Sequence, residues 1–216
     1  MIPVFITVRT SSVRLPKKCL LPLGDCNVLE HVIWRLKHFE YRPIVCTTDA
    51  PQDGILAAIA KSEDAEFYAG NLTPKTRWLE CAAWFDIWDF HAIDCDDPYF
   101  DPLEIERSYS YMNDLHYQCV LPTKSSEDFA LGMMGTSMSL RHGDTARLPE
   151  RRIEESKIRI TLDYPEDYWL LSTVARHAPF YASRETIENV CGNSLAEINH
   201  FRMNEWKERQ LAEHSK

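Results

Sequence analysis

Residues 2–18, IPVFITVRTSSVRLPKK, decide the fold class and supply the first candidate site. Residues 2–8 are rich in β-branched and aromatic side chains, which predicts a buried strand. Residues 9–18 then form a polar loop that holds four cations and no acid. Ligands of open α/β sheets bind beyond the carboxyl ends of the strands, so this loop lies where a phosphate-bearing molecule would bind.

The following elements alternate between helix and strand. Asn27 with Glu30 three residues later is a capping-box pattern, which predicts that a helix begins there. Strands are predicted at 43–47, 66–68 and 90–93, and helices at 52–61 and 75–87. This order favours a parallel sheet with right-handed crossovers.

The second half of the chain continues the pattern. We predict a helix at 102–113, strands at 117–121 and 157–162, and a helix that Pro165 opens. Residues 123–156 have the least readable pattern, and no linker or internal repeat is visible. The sequence therefore predicts a single α/β domain over residues 1–216, a Rossmann-like three-layer sandwich with a mostly parallel mixed sheet.

Composition narrows the classes of function. The chain has 216 residues, of which 44% are hydrophobic and 26% charged, as in a globular protein. A net charge of −9 argues against a nucleic-acid partner. No apolar run is long enough for a membrane span, and the amino terminus has no basic region typical of a signal peptide. Seven cysteines without a C-x-x-C pair indicate a reducing compartment, and we predict a cytoplasmic protein.

The basic loop could bind phosphates. Arginine guanidinium groups form bidentate hydrogen bonds with phosphate oxygens, and a lysine acts as a point charge. Ser11 and Ser12 could add hydrogen-bond donors. A solvated basic loop is the alternative. The G-x-x-x-x-G-K-[ST] pattern is absent, which excludes a P-loop NTPase.

Acidic residues follow two other predicted strands. Asp94 and Asp96 would share one face if the strand persisted, with Asp97 pointing elsewhere, and Asp163 ends the strand predicted at 157–162. Carboxylates clustered at strand ends suit Mg²⁺, which prefers oxygen ligands. The alternative is turn and cap chemistry, since Asp before Pro is a common turn signal and Asp163 could simply precede a helix.

Several segments together resemble one enzyme family. RTSSVRLPKK at 9–18 resembles the A-R-x-x-S-x-R-L-P-x-K signature of the cytidylyltransferases that make CMP-activated sugars, which include the CMP-Kdo and CMP-sialic acid synthetases and the spore-coat polysaccharide group. Segments 20–37, 46–49 (CTTD), 95–98 (CDDP) and 161–167 (TLDYPED) are similar to further family motifs. The likeness covers most of the chain except about 123–156, the region that builds the acceptor pocket and a dimer arm in relatives.

The resemblance implies a fold of the nucleotide-diphospho-sugar transferase type and a magnesium-dependent enzyme. That enzyme would transfer CMP from CTP to a small acceptor (a sugar acid, sugar phosphate or phosphonate) in polysaccharide biosynthesis, and it could form a homodimer. Arg14, Lys18, Asp96 and Asp163 would be catalytic, with both aspartates as metal ligands. The residues implied to bind the nucleotide are Val8, Arg9, Ser11, Ser12, Arg14, Lys18, Thr47, Thr48, Arg77 and Asp94.

Departures from the family leave alternatives open. Ser11 and Cys95 replace family glycines, which keeps a non-catalytic nucleotide-binding relative in consideration. Asp94-Cys95-Asp96 also fits the D-x-D motif of glycosyltransferases that use a nucleotide-sugar. The choice of CTP and of the acceptor rests on resemblance alone. Candidate acceptor-pocket residues are Arg77, Lys124, Arg141, His142 and Arg159, and the helically spaced Trp78, Trp84 and Trp88 are predicted core residues.

Overall fold

A computed structural model describes residues 1–123, 135–149 and 158–214. Nine strands lie in these ranges, and seven of them form one mixed sheet. The strands are β1 Pro3–Thr7, β2 Pro22–Leu23, β3 Cys26–Asn27, β4 Arg42–Thr48, β5 Glu66–Gly70, β6 Asp89–Asp94, β7 Cys119–Leu121, β8 Gly135–Ser139 and β9 Thr145–Arg147.

The order of the large sheet is β5-β4-β1-β6-β8-β7-β9. Strands β5, β4, β1 and β6 are mutually parallel, and β8 is antiparallel to both β6 and β7. The predicted mostly parallel mixed sheet is therefore confirmed. Thr7, at the end of β1, is level with Cys46 of β4 and Asp94 of β6, so the carboxyl ends of three strands meet at one edge.

Helices cover both faces of this sheet. They are α1 Val28–His38, α2 Ile55–Ser62, α3 Pro74–Trp84, α4 Pro102–Leu115, α5 Pro165–His177, α6 Arg184–His200 and α7 Met203–His214. The capping box of α1 is confirmed: Asn27 Oδ1 accepts from the Glu30 amide at 3.0 Å, and Glu30 Oε2 accepts from the Asn27 amide at 2.8 Å. Two donors at the helix start are thus satisfied by side chains.

Alternation along β1 creates two apolar layers. Val4 and Ile6 pack with residues of α1, α2 and α5 on one face. Phe5 points to the other face, where its ring stacks on Phe90 at 4.2 Å between centroids. Because strand side chains alternate between faces, one apolar strand joins both layers. The result is the predicted three-layer arrangement.

Two helix boundaries differ from the prediction. The helix predicted at 52–61 begins as a 3-10 turn, Pro51–Gly54, before α2. The helix predicted at 75–87 ends at Trp84, and Asp86 then adopts a left-handed backbone with φ of 52°. A left-handed residue cannot continue a right-handed helix, and Asp tolerates this conformation better than most residues.

The strand predicted at 157–162 is wrong for residues 158–162, which form an irregular connection that pairs with no strand. This connection forms a backbone hydrogen bond with the segment that follows β6: the Leu162 amide donates to the Asp96 carbonyl at 2.7 Å. Lys157 lies outside the described residues. The apolar pattern that predicted the strand instead reflects burial, since Ile160 and Leu162 pack in the core.

About half of the predicted insertion at 123–156 lies outside the described residues, which exclude 124–134 and 150–157. Its described part adds β8 and β9 to the sheet.

The core prediction is wrong for Trp84 and Trp88, which are 73% and 49% exposed. Both lie at or beyond the end of α3, where the buried face of the helix stops.

No helix in the described ranges has the length and apolar character to cross a bilayer.

Candidate active site

A cleft of about 650 Å³ opens at the carboxyl edge of the sheet. This volume lies within the range of about 300–1,000 Å³ that is usual for small-molecule sites. All the residues predicted to bind nucleotide line the cleft except Thr47 and Thr48. The cationic loop and the end of β6 thus face one space.

Backbone turns hold the cationic loop in shape. The Lys17 amide donates to the Thr10 carbonyl at 3.1 Å, and Lys17 itself is left-handed with φ of 55°. Ser12 Oγ accepts from the Leu15 amide at 3.3 Å. The loop ends in a 3-10 turn, Lys18–Leu20, so its shape does not depend on glycine.

Asp53 fastens the base of this loop to the end of β4. Its Oδ1 accepts from the Thr10 amide at 2.7 Å and from Thr10 Oγ1 at 2.6 Å, and its Oδ2 accepts from Thr48 Oγ1 at 2.5 Å. Burial alone would raise the pKa of Asp53, but these hydrogen bonds lower it below its ordinary value. Thr48 therefore supports the loop from behind, and neither it nor buried Thr47 reaches the cleft. Asp53 was missed because its sequence neighbourhood predicts only a helix start.

Two cations of the loop meet two distant aspartates. Arg14 Nη2 donates to Asp163 Oδ1 at 2.6 Å. Lys18 Nζ donates to the same oxygen at 3.0 Å and also to Asp96 Oδ2, so it bridges both carboxylates. Burial acts to raise the pKa of Asp163, but the charges of Lys18, Arg14 and Arg159 hold it below its usual range. The four residues predicted to be catalytic are therefore in direct contact.

Arg159 supports Asp163 from inside the protein. Its fully buried guanidinium donates to Asp163 Oδ2 at 3.2 Å and to Asp167 Oδ1 at 3.0 Å. Asp167 Oδ2 in turn accepts from the Asp163 amide at 2.8 Å, and Asn199 Nδ2 donates to Asp167 Oδ1 at 2.8 Å. The prediction that Arg159 lines an acceptor pocket is wrong, because both of its carboxylate partners hold it in the interior.

The end of β6 forms the acidic wall of the cleft. Asp94 and Asp96 both line the cleft, whereas Asp97 is buried and does not, as predicted. Asp94 is exposed to solvent through the open cleft. Its pKa is nevertheless raised to about 7, mainly because nearby protein atoms desolvate its carboxyl group and secondly because Asp96 is negatively charged. Burial raises the pKa of the Cys95 thiol well above its ordinary value, which makes it a poor nucleophile and supports its interpretation as a spacer.

Arg77, near the start of α3, also lines the cleft. Its Nη1 donates to the carbonyls of Asn71 and Leu72 at 2.8 and 3.0 Å, which fixes the turn before α3. Arg141 and His142 do not line this cleft, and their acceptor role stays a prediction. Arg141 is an exposed residue 3.5 Å from Asp89 and over the Trp88 ring, and His142 packs on His116. Lys124 lies outside the described residues.

Asp96 and Asp163 fit a magnesium site. Their carboxylate oxygens already converge on one positive charge, the Lys18 ammonium. Among the described residues no group of three or more His, Cys, Asp or Glu side chains could hold a metal. Two carboxylates suffice for Mg²⁺, which usually retains waters and takes further ligands from substrate phosphates.

Arg209 of α7 also lines the cleft, and the sequence did not predict it. It lies in a helix rich in charged residues, where a cation is usually a solvated surface group. Only the packing of α7 against the start of α5 brings it to the site.

The sheet order and the helices on both faces define a three-layer α/β fold with a mostly parallel mixed sheet. No protein-family model matches the chain, and no curated protein matches it. Among solved structures, the chain is similar to a cytidylyltransferase from Leptospira borgpetersenii, with a TM-score of 0.76, 23% identity, and coverage of 91% of this chain and 95% of that one. The fold implied by the family resemblance is therefore confirmed.

Two more distant structures share the architecture. Molybdopterin-guanine dinucleotide biosynthesis protein A from Archaeoglobus fulgidus has a TM-score of 0.60 at 13% identity, over 81% of this chain and 99% of that one. 4-Diphosphocytidyl-2C-methyl-D-erythritol synthase from Anaerococcus prevotii has a TM-score of 0.56 at 10% identity, over 81% and 98%. At these identities the similarity establishes the fold alone.

Proposed function

We propose that this protein is a magnesium-dependent cytidylyltransferase that transfers CMP from CTP to a small acceptor and releases pyrophosphate. The observation that carries the proposal is that Lys18, which lines the cleft beside Asp96, contacts both Asp96 and the buried Asp163. Support for CTP comes from the sequence motifs and from the names of two similar structures, which denote cytidylyl chemistry.

The cations of the loop would exchange partners when the nucleotide binds. In the free protein, Arg14 and Lys18 neutralise Asp96 and Asp163. Phosphate oxygens form strong charge-assisted hydrogen bonds with guanidinium and ammonium groups. Both cations would therefore turn toward the triphosphate and leave the two carboxylates available to the metal.

Transfer at phosphorus depends mainly on positioning and on charge stabilisation. An acceptor oxygen would bond to the α-phosphorus in line as the bond from that phosphorus to the β-phosphate oxygen breaks. Arg14 and Lys18 would stabilise the departing pyrophosphate, and Arg159 would hold Asp163 in place. When bound by Asp96 and Asp163, magnesium supplies orientation and neutralisation of the negative charge that develops.

The acceptor class follows from the family resemblance. A sugar acid, a sugar phosphate or a phosphonate would present the attacking oxygen, in the biosynthesis of a surface glycan or a related polymer. Arg77 is the candidate acceptor residue that does line the cleft.

A pyrophosphate-release screen tests the proposal directly. Four nucleoside triphosphates are crossed with sugar acids, sugar phosphates and phosphonates, each with and without Mg²⁺. We expect release only with CTP, Mg²⁺ and one acceptor class. CTP binding without turnover on any acceptor would favour a non-catalytic relative, and preferential binding of an intact nucleotide-sugar would favour a D-x-D glycosyltransferase through Asp94 and Asp96.

A further inference from the structure

Helix α7 is fastened to the turn that carries Asp163. Tyr164, Met203 and Trp206 form a buried cluster between α7 and the start of α5. Arg202, directly before α7, donates two hydrogen bonds to the Glu166 carboxylate, at 2.9 and 3.2 Å. The Trp206 ring also covers Arg159, with 5.4 Å from its centroid to the guanidinium carbon. The helix therefore has a fixed position relative to the candidate metal ligand.

Arg209 follows Trp206 by three residues, a spacing that places the two on neighbouring positions of one helix surface. Trp206 is buried, whereas the Arg209 side chain is 52% exposed and lines the cleft. Its ion pair with Glu205 has a length of 3.3 Å on an exposed surface. Exposed pairs of this kind are weak, so the guanidinium can turn to a ligand at little cost.

The charges of the cleft leave a role for such a residue. Without a ligand, the charges of Arg14 and Lys18 are balanced by Asp163 and Asp96, and Asp94 adds a further carboxylate to the cleft. A nucleoside triphosphate brings several more negative charges. An arginine whose own pairing is weak is well suited to bind a polyanion in this setting, because guanidinium groups bind phosphate oxygens in bidentate fashion.

We infer that Arg209 is an anion-binding residue of the site and that it binds the terminal phosphates of the nucleotide, the part that leaves as pyrophosphate. Helix α7 thereby contributes a residue to a cleft otherwise lined mainly by the cationic loop, the end of β6 and the start of α3. The identity of the anion rests on the proposed nucleotide substrate. The assignment of Arg209 to an anion-binding site does not depend on that proposal.

Titration calorimetry with three probes tests the inference: inorganic pyrophosphate, CTP and CMP, each with Mg²⁺. We expect Arg209→Gln to weaken the binding of pyrophosphate and CTP about tenfold and to leave CMP unchanged, and Arg209→Lys to restore part of the loss. Lys207→Gln is the matched control, since it removes one charge from an exposed position of the same helix that does not line the cleft.

Three results would overturn the inference. They are unchanged binding of pyrophosphate and CTP by Arg209→Gln, an equal loss for CTP and CMP, and an equal effect of Lys207→Gln. The pyrophosphate titration also distinguishes a failure of this inference from a failure of the proposed function. If the wild-type protein binds pyrophosphate through Arg209 but binds no CTP, the anion site stands and the cytidylyl proposal fails.

Discussion

Arg14 and Asp163 are 149 positions apart in the sequence, yet Arg14 Nη2 donates to Asp163 Oδ1 at 2.6 Å. Lys18 and Asp96, 78 positions apart, are joined in the same cluster. The sequence contains each half of these pairs as a separate motif. Their contact is what turns a basic loop and two turn-like aspartates into one candidate site.

The first prediction concerns the two carboxylates. Asp96→Asn and Asp163→Asn should each lower kcat at least about a hundredfold, since each removes one strong electrostatic contribution to the transition state. Pyrophosphate release under saturating CTP measures this effect. Asp25→Asn, at an exposed turn outside the cleft, is the control and should retain full activity. Turnover near that of the wild type in both site variants would refute the metal assignment.

Arg159 should prove to be a positioning residue whose loss also destabilises the fold. Arg159→Met leaves Asp163 and Asp167 without their common buried partner, and breaking a buried pair on one side costs about 3–5 kcal/mol. Urea denaturation measures the decrease in the free energy of unfolding. An unchanged free energy of unfolding would show that the two aspartates do not depend on this guanidinium.

Asp53 should affect nucleotide binding without touching the ligand. Asp53→Asn replaces an acceptor of three hydrogen bonds, so we expect a loss of about 1–3 kcal/mol in stability and a higher KM for CTP with a smaller change in kcat. Exposed Asp49→Asn is the matched control at the same strand end. If kcat fell as strongly as in the variant of Asp96, a supporting role for Asp53 would be wrong.

Two buried histidines should make the fold sensitive to acid. Burial lowers the pKa of His31 and of His91 from 6.5 to about 3. The unfolded chain therefore takes up these protons near pH 6.5 while the folded protein does not, so stability is complete above pH 6.5 and is lost as the pH falls from 6.5 toward 3. At pH 5 the loss is about 2 kcal/mol for each histidine.

Urea denaturation at pH 7.5 and pH 5 checks this dependence. His91→Gln should be less stable at pH 7.5, because the hydrogen bond of His91 with Ser137 Oγ at 2.8 Å is disturbed, but it should lose less on acidification than the wild type. A variant of exposed His177 should show the same pH dependence as the wild type. Equal acid sensitivity in His91→Gln would contradict the assignment.

The convergence of the loop with Asp94 and Asp96 was predictable from sequence, because β1 and β6 are parallel and end at one edge of the sheet. The same argument does not account for Asp163, since residues 158–162 form no strand. The supporting residues were not predictable either. Arg159 and Asp53 are defined by partners brought together in the tertiary structure, and a buried arginine has the same sequence signature as an exposed one. Thr48 illustrates the reverse error: it ends the correct strand, but its hydroxyl points to Asp53 and away from the cleft.

The strongest test of the joint metal and nucleotide site is calorimetric titration of CTP into the protein, with Mg²⁺ and again with EDTA, for the wild type and for Asp96→Asn. We predict binding by the wild type in the presence of Mg²⁺, with a large loss of affinity when the metal is removed and a comparable loss in the variant. CTP affinity that is unchanged by both EDTA and the substitution would contradict a site in which the loop and the two aspartates act together.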